Sequence, residues 1–165
     1  MLISRGSIHH RILDDLTSFV NSFLDRNSCK RVSLHEELPL KQEIKKIFGQ
    51  TNVTLFPYAR TSFYACLKAL NLPSGSTIFL TPLTIVPMLD IIHYFRYKPI
   101  FVDIDLRNYS ASIEDLNSKI SEFKPSCFLL TYLFGHLPDL TQIVDICRRN
   151  NIYLIEDFSQ SIGID

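Results

Sequence analysis

From about residue 52 onward, short apolar runs alternate with amphipathic stretches. The runs at 53–56, 77–80, 99–102, 127–132 and 152–155 are nearly continuous in apolar residues, the pattern of parallel strands buried on both faces. Between them, 62–70 places Phe63, Cys66, Leu67 and Leu70 on one helical face. A second helix is predicted at 113–123 behind Ser112, an N-cap residue. A third, 140–150, follows Pro138-Asp139, turns Ile143, Val144, Ile146 and Cys147 inward, and carries Arg148 and Arg149 in its last turn, where cations suit the helix dipole. Pro73-Ser74-Gly75 and Lys124-Pro125 mark turns. Strand–helix alternation predicts right-handed βαβ crossovers and an α/β fold, a mainly parallel sheet flanked by helices.

Residues 1–51 follow another pattern. The stretch 12–24 carries Leu13, Leu16, Val20, Phe23 and Leu24 as an apolar helical stripe, 25–33 is polar, and 40–48 reads as a short helix closed by Gly49 as its C′ residue. The expected organisation is an N-terminal helical arm over 1–51 and an α/β domain over 52–165. There is no internal repeat and no low-complexity tract.

Composition narrows the classes. Lys+Arg and Asp+Glu balance at 17 each, which gives no reason to expect nucleic acid or an acidic membrane as partner. The cysteines Cys29, Cys66, Cys127 and Cys147 have no metal-ligand spacing, and three of them lie in apolar segments, so a reducing, cytoplasmic setting is expected. No signal peptide is read at the N-terminus, and the most apolar window, 85–102, is broken by Asp90, Arg96 and Lys98, against a membrane span. The five glycines, Gly6, Gly49, Gly75, Gly135 and Gly163, build neither GxGxxG nor GxxxxGK[ST], so Rossmann and P-loop nucleotide sites are excluded.

Two constellations could carry chemistry. The first is Tyr58-Ala59-Arg60-Thr61-Ser62, a strand-to-helix turn whose free N–H groups and positive dipole end suit a phosphate, with Arg60 as a further donor. The bland alternative makes Thr61 an N-cap and Arg60 a solvated surface residue. The second is NIYLIEDFSQSIG, 151–163, where an apolar strand delivers Glu156 and Asp157 to its C-terminal end, followed by Ser159, Gln160 and Ser161. Ligands of open α/β sheets bind at that end, and a carboxylate there can hold a protonated ring nitrogen. The alternative is ordinary Asx-turn chemistry. His9, His10, His35 and His93 have no partner at ligand spacing, and His136, in FGHLPD, could line a cleft but is more simply a loop histidine.

The order of segments is more specific than any one of them. YARTSFYACLKALNLPSGSTIFLTPLTI, KPIFVDID, YLFGHLPDLTQIVDIC and NIYLIEDFSQSIG together resemble the DegT/StrS sugar aminotransferases, fold-type I enzymes that use pyridoxal 5′-phosphate (PLP). EDFSQSIG strongly resembles the family's EDxAQ motif. The resemblance implies part of a PLP-binding large domain, with Asp157 on the pyridinium nitrogen, Gln160 on the phenolic oxygen, and Arg60 and Thr61 at the phosphate turn. Tyr58-Ala59-Arg60 stands where that turn has Ser-Gly-Thr, and Ile85 replaces the aromatic residue that stacks on the ring.

The resemblance also implies an amino transfer, typically from glutamate, to a keto sugar carried on a nucleotide, in cell-surface polysaccharide or antibiotic biosynthesis, and a homodimer. The Schiff-base lysine of such enzymes lies beyond the EDxAQ segment, and none of Lys30, Lys41, Lys45, Lys46, Lys68, Lys98, Lys119 and Lys124 has that position. The expectation is therefore a fragment with no catalytic lysine, inactive alone, and binding PLP weakly or not at all. The rivals are a non-catalytic interaction module on the same scaffold and one half of a split enzyme completed by a second chain.

Overall fold

The computed structural model describes residues 34–49, 52–136 and 138–161. The chain divides into two compact units, Met1–Thr54 and Leu55–Asp165. In the first, helix α1 (Leu34–Phe48) begins earlier than 40 and carries Pro39 within it. It ends at Gly49, whose φ of +61° is the left-handed C′ conformation anticipated from sequence. The predicted helix 12–24 lies outside the described residues.

The second unit holds helices α2 (Ala59–Leu70), α3 (Val86–Tyr94), α4 (Ile113–Phe123) and α5 (Leu140–Arg149). Its strands are β1 (Thr77–Leu80), β2 (Lys98–Phe101), β3 (Ile104–Asp105), β4 (Ser110–Ala111), β5 (Cys127–Thr131) and β6 (Tyr153–Asp157). Four strands form one sheet in the order β2-β1-β5-β6, every pairing parallel, and β3 and β4 make a separate small antiparallel pair. Pro99 sits in β2, an edge strand, where the missing N–H need not break a ladder.

The central strands are buried on both faces by alternation. Ile78, Leu80, Cys127 and Leu129 pack with Phe63, Leu67, Met88 and Ile92 of α2 and α3. Phe79, Phe128 and Leu130 pack on the opposite cluster, with Leu116 and Ile120 of α4 and Ile143, Ile146 and Cys147 of α5. Side chains of a strand point to opposite faces in turn, so a sheet covered twice needs apolar residues at every position. The edges are less covered: Tyr153 in β6 is 55% exposed and Phe101 in β2 is 42% exposed.

Helices α4 and α5 start and stop close to where the sequence indicated. Ser112 caps α4 by accepting the Asp115 N–H at 3.3 Å, and Asp139 caps α5 by accepting the Gln142 N–H at 3.2 Å. Lys124 closes α4 with φ +44° and donates its N–H to the Ile120 carbonyl before Pro125 ends the helix.

Three features differ from the sequence reading. Segment 53–56 has no strand partner among the described residues and runs as irregular chain, with Val53 and Leu55 half-buried between exposed neighbours. Both sides of β1 are already taken by β2 and β5, so the apolar run has no ladder to join there. Helix α3 was not foreseen, because Val86–Tyr94 is apolar on most positions and hides its period, although Pro87 in its first turn is a start signal. Finally, α2 starts at Ala59 with Tyr58 as N-cap, which places Thr61 inside the first turn and not at the cap.

A cleft at the switch point of the sheet

The strand order fixes where a crevice can open. From β1 the chain moves outward to β2, and from β5 it moves outward the other way to β6, with α3 on one face and α5 on the other. The loops leaving β1 and β5 therefore part company at their C-terminal ends, the topological switch point at which open α/β sheets bind ligands. A cleft of about 350 Å³ lies there. Leu83, Thr84 and Ile85 line it after β1, Thr131, Leu133 and Phe134 at the end of β5, and Asp157, Ser159 and Gln160 at the end of β6. Ala59, the first residue of α2, and Met88 of α3 complete the wall.

Asp157 reaches the cleft because β6 is in register with β5, Thr131 opposite Asp157. The Tyr132 N–H continues that ladder by one bond, 2.9 Å to the Asp157 carbonyl. The half-buried Asp157 carboxylate uses one oxygen: Oδ1 accepts the Ser159 N–H at 3.2 Å and the Ser159 hydroxyl at 2.7 Å. Glu156, next to it, serves the sheet, accepting the hydroxyl proton of buried Tyr132. Burial, then that bond to Glu156, raises the Tyr132 phenol far above its usual range, so it stays a donor.

The α2 N-terminus presents donors. Tyr58 offers no side-chain cap, and the N–H groups of Ala59 and Arg60 meet no acceptor among the described residues. The Thr61 and Ser62 N–H groups are both taken by the Tyr58 carbonyl, at 3.0 and 3.1 Å. The Arg60 guanidinium lies over the Tyr58 ring, 4.2 Å from its centroid. Ala59 and Asp157 face the same cleft, and a second small cavity, lined by Ala59, Ser62 and Asp157 among others, joins them beneath it.

Of the five residues singled out from sequence, Ile85, Asp157 and Gln160 line the cleft, whereas Arg60 and Thr61 do not, Ala59 standing in their place. His136 is exposed, near Tyr109 at 5.9 Å between ring centroids, and is not a lining residue. Sequence reasoning missed Thr84, Thr131 and Phe134, and named Ser159 without giving it a role. Phe134 carried a signal: it precedes Gly135 just after a strand, and both adopt left-handed φ, +57° and +77°. No lysine among the described residues lines the cleft, and none of their His, Cys, Asp and Glu side chains form a group of three that could hold a metal. No helix among them is long and apolar enough to cross a membrane.

Known proteins are similar to this chain in sequence and in fold. GDP-perosamine synthase of Escherichia coli O157:H7 is 28% identical over 126 residues, 74% of this chain and 34% of that protein. The chain thus spans about a third of the length of the curated relatives it matches. A DegT DnrJ EryC1 StrS aminotransferase from Brucella abortus superposes with a TM-score of 0.77 at 21% identity, covering 93% of this chain and 42% of that one. NtdA from Bacillus subtilis with bound cofactor PMP also gives a TM-score of 0.77, at 18% identity, over 92% of this chain and 35% of its own. At such identities the structural likeness establishes the fold, the parallel sheet flanked by helices of these aminotransferases. The sequence match establishes more: with residues 21–165 fitting the family model, the chain belongs to the DegT/DnrJ/EryC1/StrS aminotransferase family.

Proposed function

We propose that this chain supplies the cofactor-holding part of a PLP-dependent aminotransferase acting on keto sugars carried on a nucleotide. The observation that carries the reading is the shared cleft: a carboxylate from β6 and the uncapped start of α2 face one space at the switch point. The residues fit the group. Among the described residues one Asp157 carboxylate oxygen accepts no hydrogen bond and suits a protonated ring nitrogen, the Ala59 and Arg60 N–H groups suit a phosphate, and about 350 Å³ accommodates a small ligand. The NtdA structure, with PMP bound on the same fold, supports the cofactor, and GDP-perosamine synthase supports a nucleotide-linked sugar as substrate.

PLP supplies an electron sink for the electron pair released when a C–H bond beside nitrogen breaks. The chain's part is to hold that sink. Asp157 keeps the ring nitrogen protonated, Gln160 offers its amide to the phenolic oxygen, and Ile85 presents an apolar side chain where an aromatic ring would stack. At the helix start Arg60 contributes its N–H group beside that of Ala59, while its guanidinium lies over Tyr58 and the Thr61 N–H is spent on the Tyr58 carbonyl. Glutamate is the proposed amino donor, the cytoplasm the proposed setting, and a homodimer the proposed assembly.

The reading in which a second chain completes the protein has its own support. β6 is an edge strand, half exposed at Tyr153, and a further element could pair with it. A PLP titration followed by absorbance tests the primary reading. The chain should bind weakly and saturably, and Asp157→Asn should lose about tenfold or more in affinity, the worth of a bond to a charged group. Borohydride reduction followed by peptide mapping should label no single lysine stoichiometrically. Equal affinity in Asp157→Asn, or stoichiometric labelling of one lysine, would refute it.

A further inference from the structure

The backbone of Asp157 is fixed before its side chain is. Its carbonyl takes the Tyr132 N–H at 2.9 Å, and Thr131 pairs with it across the ladder. What remains free is rotation of the side chain, which without a partner populates up to three staggered wells. Two donors act on it, both from Ser159 and both on Oδ1. The backbone N–H, at 3.2 Å, is at the long limit for a hydrogen bond, whereas the hydroxyl, at 2.7 Å, has the ideal length for O–H···O. Both donors meet the same carboxylate oxygen, so the difference in length decides which holds it more firmly. The hydroxyl is therefore the main restraint, and it comes from the position that the EDxAQ pattern gives to alanine.

We propose that Ser159 is a positioning residue: it clamps Oδ1 of Asp157 and leaves Oδ2 alone to meet the ring nitrogen of the cofactor. Among the described residues Oδ2 accepts no hydrogen bond. Ser159 and Asp157 both line the cleft, so the clamp holds one oxygen and leaves the other available to a ligand. The inference rests on Asp157 being the ring-nitrogen partner. Its size is about threefold, the gain from selecting one of three wells of similar population. Ser159 is exposed, so Ser159→Ala should not disturb the core.

Two measurements separate the clamp from the cofactor reading. Three-bond Hα–Hβ couplings of Asp157, read by NMR without any ligand, report its rotamer. The unmodified chain and Ser159→Thr should show one rotamer, and Ser159→Ala an average. PLP titrations should then show Ser159→Ala weakened about threefold and Ser159→Thr close to the unmodified chain. A single rotamer in Ser159→Ala, averaging already in the unmodified chain, or unchanged PLP affinity in Ser159→Ala overturns the proposal. If the couplings behave as stated but Asp157→Asn binds PLP as well as the unmodified chain, the clamp exists and the cofactor assignment of Asp157 is what fails.

Discussion

Leu129→Ala should soften the small cavity beside Asp157 and the whole second unit with it. Leu129 lies in the middle of β5, is 1% exposed, and packs into the cluster that contains Phe63, Leu67 and Met88. The substitution removes three carbons, about 2.4 kcal/mol at about 0.8 kcal/mol each. Incomplete collapse of the surroundings adds to this, and the small cavity already beside Leu129 gives neighbours no atoms with which to refill the space. The expected total is about 3 kcal/mol. For a unit of about 110 residues with about 2.1 cal/mol/K of unfolding entropy each, that lowers Tm by about 13 °C. The same cavity touches Asp157, so PLP affinity should fall as well. Urea unfolding followed by circular dichroism gives the energy, with Tyr153→Ala as comparator. Tyr153 is 55% exposed on an edge strand and should cost under about 1 kcal/mol. Equal losses for the two variants, or a Leu129→Ala loss below about 1 kcal/mol, would refute the doubly covered sheet from which the cleft is argued.

Other outcomes follow from single interactions. Ser112→Ala and Asp139→Ala should each cost about 1 kcal/mol in urea unfolding, because each removes the acceptor for an otherwise unbonded helix N–H. Burial would by itself raise the Asp115 carboxyl, but the Asp103 N–H at 2.7 Å and Lys119 at 2.7 Å outweigh it and hold it below its usual 3.8. A depressed carboxyl contributes stability above its unfolded pKa and loses it as pH falls through the folded one. The gap between the unmodified chain and Asp115→Asn should therefore be full above about pH 4 and shrink on acidification, as unfolding titrations will show. Burial pushes the Cys127 thiol up to about 12 and Cys147 to about 11, so both should resist alkylation at pH 8 in the native chain and react once urea unfolds it, as mass spectrometry can map.

The sequence by itself determined the elements that carry local signals. The apolar runs at 77–80 and 127–132 became β1 and β5 because a strand covered on both faces must be apolar at every position. Ser112 and Asp139 set helix starts, and Gly49 a helix stop, through bonds and dihedrals that span only a few residues. Asp157 and Gln160 were legible for the same reason, since a strand and the turn after it are contiguous in sequence. Tertiary structure alone decided what depends on neighbours far along the chain. Whether 53–56 forms a strand depends on a partner far along the chain, and among the described residues it has none. The walls of the cleft come from four separate segments, so Thr84 and Thr131 carry no local mark of their role. The aim of the α2 start was hidden too, because three residues of offset in the cap, from Thr61 to Tyr58, move Thr61 into the first turn and bring Ala59 to the cleft instead. Local chemistry fixes which residues begin and end an element, but only the order and register of the sheet fix which of those ends meet.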